Sequence, residues 1–211
     1  MNEYSLIFDR SIKNDMRKRD ADKEKLVKDI AIELIGKGGF ENFSMNKLAK
    51  ACSISVATLY IYYQDKEDLI VQLVTEQGKI IANAMLKDFD PDSSFETGLR
   101  KQWENRYNYM INNRRISLLF EQLRSSVYHD QFLNSFMEDM REPFARFSKN
   151  IVDRGEVNPM TVEVYWSVAF APLFALIKLN NEGRNIDGSP FQMTDQILWE
   201  TFNLVVKALK K

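Results

Sequence analysis

A chain of 211 residues with 45% apolar and 28% charged residues has the make-up of a soluble globular protein, long enough for one large core or a small domain beside a larger one. Only 8 Gly and 5 Pro favour long helices over turn-rich β architecture, and a formal net charge of −1 gives no overall attraction for a polyanion, so any nucleic-acid site must come from local asymmetry. A single Cys excludes an internal disulfide framework and fits a reducing compartment.

The N-terminal MNEYSLIFDRSIKND is charged early and lacks an apolar stretch of signal-peptide length. The longest charge-free apolar run, Val164 to Ile177, has 14 residues, short of the roughly 20 needed to span a bilayer. A cytoplasmic protein with no membrane partner is expected. Residues 1–22 read as an extension. Its end is basic, with seven Lys or Arg against four acids between Lys13 and Lys28, which suits either a solvated helix face or an arm that approaches phosphates.

Lys23 to Gly36 is predicted to be a helix, with Leu26, Ile30 and Leu34 on one line and Val27, Ala31 and Ile35 beside it. Gly38-Gly39 ends it. Ser44 can cap a second helix on which Met45, Leu48, Ala49 and Cys52 share a face. After a turn over residues 51–54, Ser55 can cap a helix from Val56 to Tyr63, too short to stand alone. Asp65 caps the next, which opens Lys66-Glu67-Asp68. Two short helices with a brief turn between them form a helix-turn-helix, whose second helix lies in the DNA major groove.

From Lys66 the apolar spacing runs on through Ala84, so one helix leaves the first unit and enters the second with no flexible linker. Pro91 and its neighbours break it. Helices follow over Phe95–Asn112, Arg115–Val127 and Asp130–Arg154, the last bent near Pro143. Thr161 to Leu179 reads as one helix, apolar on nearly all sides, with Pro172 inside it, and Thr194–Leu209 closes the chain. A helix apolar all round is either wholly internal or covered by a partner. The favoured reading is a four-helix interface made by this helix and the last one with their copies in a second chain. The fold class is therefore all-α: a three-helix helix-turn-helix domain (23–75) joined by a continuous helix to a C-terminal helical bundle that also dimerises (76–211).

The segment LAKACSISVATLYIYYQDKEDLI resembles the DNA-binding segment of TetR-type transcriptional regulators. Leu48, Ala49, Ile54, Ser55, Thr58, Leu59, Tyr60, Tyr62, Tyr63, Lys66, Glu67 and Leu69 fit that family's pattern directly or conservatively, and the likeness covers about Lys23 to Val74. It implies a homodimer that binds a palindromic operator on double-stranded DNA and releases it when a small molecule enters the C-terminal domain. The short helix supports this by its own chemistry. Thr58 and Tyr60 offer hydroxyls to phosphates or base edges, and Val56 and Ala57 suit thymine methyls. Tyr62 and Lys66 suit backbone phosphates, with Ser44, Lys47 and Ser55 beside them. Three departures stand out. Ser53 replaces the turn glycine, Val56-Ala57 replaces Lys-Gly, and Ile61 stands where a polar or aromatic residue is common. A positive φ at Ser53 would cost about 1 kcal/mol or more. The recognition helix is nearly uncharged, so apolar contacts and DNA shape are expected to carry specificity.

For the effector, aromatics and Met after Asp90 suit a flat or lipophilic molecule: Trp103, Tyr107, Met110, Phe120, Tyr128, Phe136, Met140, Phe144, Tyr165, Trp166 and Phe170, with Arg106, Gln122 and Arg124 as polar contacts. The same stripes also suit plain core. His129 and Cys52 are the only residues of their kinds, and Ser126 stands where a di-iron Glu-x-x-His motif would need its Glu. Neither a dinucleotide fingerprint nor a P-loop occurs. No catalytic residue, metal or cofactor is expected. The remaining alternatives are a helical adaptor that binds protein or an enzyme using carboxylates only.

Overall fold

The computed structural model describes the backbone of residues 3–211 and the side chains of residues 20–211. The helices are α1 (Glu3–Gly38), α2 (Met45–Ala51), α3 (Val56–Tyr62), α4 (Lys66–Leu86), α5 (Phe95–Asn112), α6 (Arg114–Leu123), α7 (His129–Asp153), α8 (Val162–Ala169), α9 (Ala171–Glu182) and α10 (Asp195–Leu209). Among the described residues no strand forms, and β pairing is confined to isolated bridges of Val157 with Lys210 and Arg184 with Pro190.

Most helix starts follow from short-range chemistry. Ser44, Ser55, Asp65, Ser94, Thr161 and Thr194 each accept a hydrogen bond from the backbone N–H three residues on, the geometry of an N-cap. Two expectations change. The segment read as an extension is helical from Glu3 onward, because no Gly or Pro interrupts the chain before Gly36. The apolar stretch read as one helix is two, α8 and α9, which meet at 41° across Phe170. Pro172 lies in the first turn of α9; its ring has no N–H to give the preceding turn and would crowd the carbonyl four residues back. Trp103 Nε1 donates to the Ala169 carbonyl at this break, at 2.7 Å. No single helix among the described residues is long and apolar enough to cross a membrane, although α8 and α9 taken together pass on length and composition.

Two apolar cores result. The first gathers Val27, Ala31, Ile32 and Ile35 of α1, the inner faces of α2 and α3, Leu69 to Met85 of α4, and then Leu119, Leu123, Phe132, Phe136 and Met140 from α6 and α7. Of the two lines read on α1, the one through Val27 is buried, while Leu26 is exposed. The second core joins Phe95, Leu99 and Trp103 of α5 to Phe147 and Ile151 of α7 and the inner faces of α8, α9 and α10. The helix-turn-helix unit is thus held by α6 and α7 as well as by its continuation through α4.

The contacts are close. A Cβ at Gly36 of α1 would lie 3.2 Å from Leu118 Cβ and 3.3 Å from the Leu119 nitrogen of α6. A Cβ at Gly78 of α4 would lie 3.0 Å from backbone atoms of Phe132 and Phe136 on α7. Both helix pairs therefore need glycine at the crossing. Ser135 Oγ donates to the Thr75 carbonyl at 2.6 Å, adding a polar tie between α4 and α7.

Candidate functional site

The turn between α2 and α3 fixes how α3 stands out from the protein. Ser53 N donates to the Lys50 carbonyl at 3.2 Å and Ile54 N to the Ala49 carbonyl at 3.0 Å. With Ser53 at φ 55, this is the Schellman arrangement that usually carries Gly at the left-handed position. Cys52 is buried beneath it, and burial raises its thiol pKa.

On α3, Leu59 and Tyr63 point into the first core, which locks the helix rotationally. The opposite face is open: Tyr60 is 53% and Ile61 76% exposed, with Ser55 and Ala57 exposed and Val56 and Thr58 half-buried. Ser55 Oγ accepts from Thr58 N at 3.1 Å and lies 2.8 Å from Thr58 Oγ1. Ile61 is a large apolar side chain on this face that the sequence reading noted as a departure without placing it in the site. Its one signal is its place between two inward residues of so short a helix.

The groups read as phosphate contacts have partners inside the protein. Tyr62 Oη donates to Asp20 Oδ1 of α1 at 3.1 Å, and burial followed by this bond raises the phenol pKa. Lys66 is half-buried, and its Nζ donates to the Phe40 carbonyl at 3.1 Å. Lys47 is exposed, with Nζ on the Asn42 carbonyl at 2.7 Å. Ser44 Oγ accepts from Lys47 N at 3.3 Å. Asp65 and Asp68 cap the start of α4 reciprocally, since Asp68 N donates to Asp65 at 2.8 Å and Gln64 N to Asp68 at 2.8 Å. The side chains of Lys13, Arg17, Lys18 and Arg19 in the basic segment lie outside the described residues.

The residues read as effector contacts divide. Arg106, Phe144, Trp166 and Phe170 come together: the guanidinium carbon lies 4.1 Å from the Phe170 ring centre, 5.7 Å from Phe144 and 5.8 Å from Trp166. Trp103, Tyr107 and Met110 belong to the same core, and Phe120 packs between the two cores, stacked on Phe174 at 5.5 Å. Tyr128 and Arg124 stand apart from that group. Tyr128 packs on Phe40 at 4.8 Å, beside the helix-turn-helix, and Arg124 is exposed at the end of α6. Tyr165, one of the aromatics expected near an effector, joins the Arg106 cluster, and so does Gln102, which the sequence does not mark out. Gln102 is one helical turn before Arg106 and accepts from its Nη1 through both the backbone and the side-chain oxygen, at 3.1 and 3.5 Å. A polar surface groove between α4 and α7 and a more apolar one beside α9 contain none of the residues read as effector contacts.

Residues 23–73 match the family model described as bacterial regulatory proteins, tetR family. The chain is 26% identical over 98 residues to an uncharacterized HTH-type transcriptional regulator of Haemophilus influenzae, covering 46% of this chain and 52% of that protein. It is 37% identical over 59 residues to an HTH-type transcriptional regulator of Staphylococcus aureus (strain USA300), covering 28% and 32%. The matches thus span about half, or less, of these curated relatives. In three dimensions the chain is similar to a TetR family transcription regulator from Marinobacter aquaeolei VT8, with TM-score 0.70 and 25% identity over 92% of this chain and 99% of that one. Residues 23–73 thus carry the helix-turn-helix segment that the tetR family model describes, within an all-helical body similar in fold to a solved TetR family regulator.

Proposed function

We infer that the protein is a homodimeric repressor which binds a palindromic operator on double-stranded DNA and leaves it when a small, partly apolar effector binds in the C-terminal part. One observation supports this above the others. A two-turn helix is locked by Leu59 and Tyr63 while its opposite face, through Tyr60 and Ile61, lies open. That is the geometry a recognition helix needs to enter a major groove. Val56, Ala57, Thr58, Tyr60 and Ile61 read the bases and inner phosphates. Ser44, Lys47, Ser55, Tyr62 and Lys66 fix the register, Lys47 by turning its exposed ammonium from Asn42 to a phosphate.

The division of labour follows the chain, with residues 23–75 for DNA and 76–211 for sensing and pairing. α8 and α10 form the dimer contact, because Val162 and Trp166, one turn apart on α8, and Leu204 of α10 are large apolar residues left exposed in the single chain. Effector binding changes the packing of α5 against α8 and α9, and α6 and α7 pass the change to α1 and α4. A shift of a few Å misplaces two recognition helices that must sit about 34–36 Å apart. The test is selection from random duplex DNA followed by sedimentation of the free and bound protein. An inverted repeat bound by two chains is the expected result. A monomer with no sequence preference overturns the reading.

A further inference from the structure

Arg106 is 1% exposed, yet none of the ion pairs among the described residues includes it. Its Nη1 is satisfied by Gln102, whereas its Nη2 has no acceptor. Gln102 Nε2 and the Tyr165 hydroxyl are likewise buried without a partner. Tyr165 is near enough to Arg106 for each to influence the other's proton affinity. Burial lowers the Arg106 pKa and raises that of Tyr165, but a guanidinium keeps its proton at any physiological pH. The interior thus holds a positive charge and a surplus of donors, compensated among the described residues only by the Gln102 oxygens and aromatic faces. Cation–π contact with Phe170 recovers only part of what a buried ion loses with its water.

We propose that Arg106, Gln102 and Tyr165 form the receptor for a monoanionic carboxylate whose apolar body lies among Phe144, Trp166 and Phe170. The guanidinium fork matches a carboxylate through two parallel N–H donors. Gln102 and Tyr165 supply the donors for the remaining lone pairs. One guanidinium balances one negative charge, so a monoanion fits where a phosphate dianion would bring a second, unbalanced charge. The way in runs past Trp166, which is 37% exposed and lies 4.9 Å from Phe170 by ring centres. Trp166 and Tyr165 both ride on α8, and the break at Phe170 lets α8 swing against α9.

This rests on the effector-responsive reading above, and its test keeps the two separable. Thermal unfolding of the full chain is measured with benzoate, cinnamate, octanoate and decanoate, each beside its primary amide. At about ten times its Kd a bound acid should raise Tm by about 3–6 °C, and its amide by far less. Arg106→Met should raise Tm without ligand and remove the difference between acid and amide. Tyr165→Phe and Gln102→Leu, which keep the buried charge, should weaken acid binding by roughly 5–30-fold and decide the matter if Arg106→Met does not fold. No acid exceeding its amide overturns the assignment, and so does unchanged acid affinity in both of these variants. An acid that binds but leaves operator affinity unchanged supports the receptor and counts against the effector reading alone. Loss of operator binding in the untreated protein counts against the DNA reading and not against the receptor.

Discussion

The hydroxyl of Tyr128 donates to the Glu67 carboxylate at 2.7 Å, joining the start of α7 to the first turn of α4 across 61 residues of sequence. The Tyr128 ring also packs at a tilt against Phe40, 4.8 Å between ring centres, in the loop that follows α1. Burial and then the bond to Glu67 push the phenol up to about 12, so it stays a donor across the physiological range. One side chain therefore ties the start of α7 to both the loop after α1 and the first turn of α4.

Tyr128→Phe keeps the ring and removes the bond. The expected cost is about 0.5–1.5 kcal/mol in urea unfolding. Operator affinity of the effector-free protein should change little, while the effector should release DNA less completely, since the loosened contact passes on less of the shift. Gel-shift titration with and without effector reads both quantities.

Ser53 occupies the left-handed position of the α2–α3 turn with a Cβ. Ser53→Gly should stabilise the protein by about 0.5–1 kcal/mol, the steric relief being partly offset by the greater freedom of Gly in the unfolded chain. The urea midpoint checks this, and a lower midpoint would mean the serine side chain compensates its own strain.

Lys47 and Lys66 should behave differently although both are read as phosphate contacts. Lys47 is exposed, so Lys47→Ala should leave Tm within about 1 °C and lower the salt dependence of DNA binding by about one unit of slope. Lys66→Ala also removes the donor to the Phe40 carbonyl, and should cost about 1–2 kcal/mol of stability as well as DNA affinity. Tyr60→Ala is a surface change that should weaken DNA binding about tenfold with Tm unaffected.

The Asp68 carboxylate pKa lies below its ordinary 3.8, first because Gln72 donates to it and then because the Gln64 N–H does. A depressed carboxylate contributes stability that is fully present above the unfolded value and is lost as pH falls through the folded one. Acid should therefore loosen the corner between α3 and α4 below about pH 4. Asp68→Asn should be less stable than the parent near neutral pH, and the gap should close as pH falls through that window. Circular dichroism melts at stepped pH values measure it.

Much of the local structure was legible because its causes are local. The serine and aspartate caps of α2, α3 and α4 lie within three residues of the N–H groups they satisfy. The inward face of α2 is written in a helical period that one short window contains. Ser53 could be flagged because the turn chemistry at that position depends on a single backbone angle. The division of the apolar stretch at Phe170 was half legible: Pro172 showed where the helix was vulnerable, and the choice between a bend and a restart depended on what packed there.

The sequence by itself determined most of the helices, the caps of α2, α3 and α4 and the open face of α3, since backbone hydrogen bonding and side-chain period act over a turn or two. Only the tertiary structure decided that Tyr128 meets Glu67 rather than the aromatic cluster, and that α6 and α7 clasp the DNA-binding unit. It alone decided that Arg106 is sealed among aromatics with no ion-pair partner among the described residues. Those contacts join residues that are dozens of positions apart, and which of many apolar faces meet is settled by packing the whole set of helices at once.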